Sequence, residues 1–235
     1  FAEADGQTLR WATPAGILPS NQRPDFPHGY YNAGVAHGIA GIAAVMARVA
    51  VEIPECAATA TRLARGAMGW LDGQRRPRGI ISMLPRTGTN GPGAPPKLAR
   101  TAWCYGDPGV ALAQLAAAQR MGDADAMARA HAHLRAAAAV PAEATGITDA
   151  ALCHGAFGLA HLFNRAAQAS GDELLAEAAR QWFRRGLDSQ RPSGGCAGFV
   201  GVHPDVRSSM SFLEGGVGIG LALLAGLAED PPGWD

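Results

Sequence analysis

Aromatic side chains are scarce, at 6% of 235 residues, and β-branched alternation is short wherever it occurs. Both shortages weaken the case for a sheet-based fold, whose strands draw on such residues. An excess of charge is missing too, since 20 Lys and Arg balance 20 Asp and Glu. That balance argues against nucleic-acid binding as the main business, because such surfaces carry a basic excess or stripe. The one dense basic run, Arg75-Arg76-Pro77-Arg78, reads as a solvated loop. Four unevenly spaced cysteines, without a Cys-x-x-Cys pair, exclude a disulfide framework and a zinc-finger spacing, and they suit a reducing cytoplasm. No apolar run is long and clean enough to span a bilayer, because Gly, Arg, His or Gln interrupts the Ala-rich segments. The chain also begins without Met or a signal peptide, in a loop-like stretch from Phe1 to near Pro27, as a portion of a longer protein would.

Alanine and glycine in helical periodicity fill the space these absences leave. Gly38 to Val51, Pro108 to Met121, Gly155 to Ser170 and Gly215 to Leu227 are apolar nearly all round, the pattern of helices buried on most sides. Between them, Glu55 to Leu71, Asp123 to Val140 and Asp172 to Leu187 are amphipathic. The reading is an all-α fold of about four helical hairpins alternating buried and half-exposed helices; a solenoid and a closed toroid both fit. Long Pro- and Gly-rich connections, Arg76 to Arg100 and Gln190 to Ser211, lead into the later buried helices, and loops of that length are usually functional or disordered.

The buried helices begin in one register. Ala36-His37-Gly38-Ile39-Ala40-Gly41, Cys104-Tyr105-Gly106-Asp107-Pro108-Gly109, Cys153-His154-Gly155-Ala156-Phe157-Gly158 and Leu213-Glu214-Gly215-Gly216-Val217-Gly218 align on their two glycines. Gly costs up to about 1 kcal/mol relative to Ala inside a helix, so its return at all four starts implies close backbone approach or a special turn. Just before each first glycine stands His37, Tyr105, His154 or Glu214, and before that Ala36, Cys104, Cys153 or Leu213.

Two thiolates and an imidazole make a ligand set suited to Zn²⁺, with a fourth position left for exchange. Cys104, Cys153 and His154 supply it, and helix N-termini favour the thiolate form that binds metal. An open zinc position can hold a substrate thiol as a nucleophilic thiolate. His37 shares the register and belongs to the residue type that most readily moves protons near neutral pH. Arg100, four residues before Cys104, could stabilise an enolate oxygen, and Tyr105 could support or donate a proton. Asp107-Pro108 reads as an N-cap followed by Pro at the first helical position. Glu214 either caps its helix or faces the cavity. Cys56, Cys196, His28, His131, His133, His161 and His203 lie outside the register and read as structural or surface residues.

The segments GYYNAGVAHGIAG (Gly29 to Gly41), ARTAWCYGDPGVALAQL (Ala99 to Leu115), CHGAFGLAHLFNR (Cys153 to Arg165) and SFLEGGVGIGLALL (Ser211 to Leu224) resemble the successive signatures of lanthionine synthetase C-like cyclases. The resemblance runs through nearly the whole chain, and its first segment is most like the stand-alone class I cyclases. It implies an α,α-toroid of alternating inner and outer helices, here a partial toroid of about four hairpins, with residues 1–235 forming the C-terminal portion of a cyclase domain. It further implies Zn²⁺ held by Cys104, Cys153 and His154, with His37, Arg100 and Tyr105 as the remaining active-site residues.

The implied reaction adds a peptide Cys thiol to dehydroalanine or dehydrobutyrine, forming a lanthionine or methyllanthionine thioether ring. The implied partners are a dehydrated precursor peptide, a dehydratase, a transporter complex that would bring the protein to the membrane, and the missing N-terminal half. The chain departs from the family pattern in length, and the active-site aspartate of the family has no counterpart here. A non-catalytic relative that binds peptide or glutathione and retains zinc is the alternative. The zinc-dependent protein prenyltransferases share the toroid and thiol activation, but their ligand pattern is absent.

Overall fold

A computed structural model describes residues 2–77, 79–86, 98–191, 197–199, 210–228 and 233–234. Seven α-helices lie among the described residues: α1 Ile39–Glu52, α2 Ala57–Gly73, α3 Asp107–Met121, α4 Ala124–Ala138, α5 Ala156–Ser170, α6 Glu173–Asp188 and α7 Gly216–Leu227. The expected helices are all present, and the first glycine of each aligned segment, Gly38, Gly106, Gly155 and Gly215, is the N-cap of its helix with extended backbone. Helix ends follow from sequence as well. α3 and α5 close on Gly122 and Gly171, whose positive φ angles of 64° and 69° suit a residue without a side chain. α1 meets Pro54, which cannot continue a helix. Asp172 caps α6 by accepting the Leu174 amide at 2.8 Å, while its other carboxylate oxygen pairs with Arg135 of α4 at 2.6 Å.

Two compact units share these elements. The first, residues 1–99 with 104–132, packs α1 between α2 and α3. Ile39, Ala40, Ala43 and Ala47 recur every third or fourth residue on α1 and meet a core that includes Ala64, Met68 and Leu71 of α2 and Val110 and Ala117 of α3. Alanine at these places lets the backbones approach closely. The second unit, residues 100–103 with 133–235, packs α5 against α6 and α7. Fully buried Phe157 anchors it, edge-on to Phe183 at 5.5 Å and to Phe199 at 5.4 Å. Burying such a side chain stabilises by about 2–3 kcal/mol.

Several sequence expectations need correction. The opening stretch is not all loop: β1 (Glu3–Asp5) pairs antiparallel with β2 (Thr8–Arg10), and β3 (Ala12–Thr13) joins β4 (Tyr30–Asn32) and β7 (Met83–Pro85) in a three-stranded sheet. The connection after α2 likewise holds β5 (Arg75–Arg76) paired with β6 (Gly79–Ile80), as well as β7. Arg75 is not solvated. Its side chain is only 9% exposed, pairs with Asp107 and donates to Gln114 at 2.6 Å. Asp107 is accordingly the first residue of α3 rather than its cap, and its carboxylate is engaged by Arg75. The apolar wrap of α1 and α7 does not mean burial on all sides, since Val45, Val51, Leu224 and Leu227 are exposed. Arg78, Cys196 and His203, with much of the two long connections, lie outside the described residues.

Candidate metal centre

Strand β4 fixes the approach to the first register position. Asn32, at its end, is buried and accepts the Gly34 amide through Oδ1 at 2.8 Å, an Asx turn that swings the chain toward α1. The amides of Val35 and Ala36 then donate to the Cys104 carbonyl at 2.9 and 3.2 Å, so the loop before α1 holds the backbone of Cys104 in place. The same contact recurs in the second unit, where the Cys153 amide donates to the carbonyl of Leu213 at 2.8 Å. One register position therefore binds the corresponding position of the next repeat in both units.

The second glycines show why the motif repeats. A Cβ on Gly41 would strike the Val35 carbonyl oxygen, and one on Gly158 or Gly218 would strike that of Leu152 or Phe212. Each contact spans six residues. The loop thus folds back against the first turn of its helix and presents the intervening residues just ahead of that turn, where unpaired N–H groups favour negative charge.

Cys153 and His154 lie in such a loop, and Cys104 holds the same register ahead of α3. Cys104, Cys153 and His154 are all buried, and one ligand atom from each lies within 4.8 Å of the others. Neither cysteine is in a disulfide. Two thiols and an imidazole, collected away from solvent, fit a zinc ion by donor type, and a metal could be held there. His37 and Tyr105 stand beside each other with ring centroids 6.1 Å apart, His37 exposed and Tyr105 half-buried. Arg100 is exposed on the segment whose Thr101 amide donates to the Thr145 carbonyl at 2.9 Å. Glu214 is half-buried just before Gly215, the residue that serves as N-cap of α7.

Sequence reasoning missed Asp149. It is buried, accepts the Ala151 amide through Oδ1 at 2.7 Å, and brings Oδ2 to 3.7 Å from His154 Nε2. The signal was one step upstream in the alignment: Asn32, Arg100 and Asp149 each stand five residues before His37, Tyr105 and His154.

Helical hairpins with two cysteines and a histidine just ahead of their helices define an all-α protein with a candidate metal site. The sequence model described as lanthionine synthetase C-like protein matches residues 12–235, and the chain belongs to that family. Among solved structures, nisin cyclase superposes with a TM-score of 0.73 at 18% identity, over 93% of this chain and 52% of that one. The fold is therefore that of a partial α,α-toroid, and the chain spans about half the length of nisin cyclase. No curated protein sequence matches. Among the described residues no helix is long and apolar enough to cross a membrane.

Proposed function

We propose that this protein, with residues 1–235 as the C-terminal portion of a cyclase domain, closes thioether rings in a dehydrated precursor peptide by adding Cys thiols to dehydroalanine or dehydrobutyrine. The observation that carries the reading is the buried Cys104, Cys153 and His154 group at the starts of inner helices. A zinc ion there would let the substrate thiol persist as a thiolate near neutral pH. Carbon–sulfur bond formation at the β-carbon moves the π electrons into an enolate, and a proton must then reach the α-carbon. His37, exposed beside Tyr105, is assigned the proton transfer, with Tyr105 supporting it and Arg100 stabilising the enolate oxygen by a charge-assisted hydrogen bond. The atoms balance without any co-reactant, since sulfur gives up one proton and the α-carbon gains one. Thiols that must stay reduced place the reaction in the cytoplasm, with a dehydratase supplying the dehydrated peptide.

Ring closure leaves peptide mass unchanged, so the test counts free thiols. A dehydrated Cys-containing peptide is incubated with the protein, alkylated and weighed by mass spectrometry. Wild type should remove alkylatable thiols, Cys104→Ala should not, and His37→Asn should bind zinc normally while slowing closure about 100-fold or more. Closure by wild type no faster than the uncatalysed rate, with peptide still bound, would instead mark a binding protein.

A further inference from the structure

Asp149 is buried in the loop ahead of α5, and its side chain is only 2% exposed. Its backbone carbonyl accepts the Ala156 amide at 2.8 Å, and its Oδ1 accepts the Ala151 amide at 2.7 Å. The Ala151 carbonyl in turn accepts the amides of Gly155 and Gly158 at 3.0 and 3.2 Å. Hydrogen bonds thus pin the loop that carries His154 at both ends. Within this braced loop Oδ2 accepts no hydrogen bond among the described residues, although it is buried. His154 Nε2 lies 3.7 Å away.

A buried carboxylate oxygen without a partner is costly, more so than an uncharged amide nitrogen in the same state, such as Asn32 Nδ2 at the matching position of the first repeat. Closing the gap to His154 by less than about 1 Å would make a hydrogen bond. An imidazole can meet a carboxylate with one nitrogen and a metal with the other, and the carboxylate then fixes which nitrogen carries the proton.

We infer that Asp149 is a positioning residue for His154: its Oδ2 accepts a hydrogen bond from Nε2–H, which fixes the tautomer and ring orientation and leaves Nδ1 as the metal-binding atom. The inference rests on the proposed zinc site. It also accounts for the residue type, because Asn32 makes the same Asx turn ahead of a first repeat whose matching positions are Ala36 and His37. The turn needs only the oxygen that Asn and Asp share; the second oxygen is what the third repeat adds.

Asp149→Asn separates the two roles. It keeps the turn, as Asn32 demonstrates, but offers Nε2 an amide donor where the inference requires an acceptor. Zinc affinity, measured by competition with a chromophoric chelator, should fall about 10- to 100-fold, while the thermal midpoint of the metal-free protein stays at or above the wild-type value, because an amide is less costly to bury there than a carboxylate. Asp149→Ala, which also loses the turn, should lower both. Wild-type affinity in Asp149→Asn, with wild type itself holding zinc, would overturn the inference and leave the zinc site standing. Failure of wild type to bind zinc would overturn the site first and the inference with it.

Discussion

Gly158 lies against the carbonyl oxygen of Leu152, six residues earlier, so closely that no side chain fits between them. The contact folds the loop bearing Cys153 and His154 onto the first turn of α5. Gly158→Ala gains helix propensity of up to about 1 kcal/mol but must push backbone aside, a cost of about 1–3 kcal/mol. A net loss of stability is expected, read as a lower urea midpoint. Gly220, in α7 with open space around its Cα, is the control, and Gly220→Ala should stabilise by about 0.5–1 kcal/mol. Equal effects at the two positions would contradict the close-approach explanation of the repeat.

Arg75 and Asp107 tie the turn after α2 to the start of α3. Burial pushes the Asp107 carboxyl up and the Arg75 guanidinium down, each partly opposed by the charge of the other. Removing one partner leaves the other buried and unpaired, so Asp107→Ala should destabilise by about 3 kcal/mol in urea unfolding. Asp107→Ala and Arg75→Met should be strongly non-additive when combined. An additive double variant would show that the two charges do not depend on each other.

Glu3 supplies a pH test away from the site. The Tyr31 hydroxyl, donating at 2.7 Å, holds its carboxyl below the ordinary value of 4.5, with help from Arg86. A lowered carboxyl stabilises the fold above its ordinary value and loses that contribution as pH falls through the depressed folded value. Glu3→Gln should therefore show a shallower decline in thermal midpoint on acidification than wild type, by a small margin because the pair is partly solvated. Superimposable acid limbs would contradict this.

Particular residues show what the sequence made legible. The four helix starts are legible because a glycine pair, a local feature, recurs at each of them, and ahead of α1, α5 and α7 it marks where the loop doubles back on its helix. The grouping of Cys104, Cys153 and His154 is legible for the same reason, since register transfers position from one repeat to the next. β3 and β4 are not, because strands of two or three residues carry no periodicity and exist through pairing with distant segments. Arg75 was misread as a surface cation because its partner lies 32 residues away, and Asp149 was passed over because an Asx turn looks like ordinary loop chemistry.

Metal content decides the main question. Elemental analysis of freshly purified, unchelated protein should find about one zinc per chain, and the Cys104→Ala/Cys153→Ala double variant should hold none. Wild-type protein that takes up no zinc, or a double variant that keeps the wild-type stoichiometry, would contradict the assignment of these cysteines as ligands.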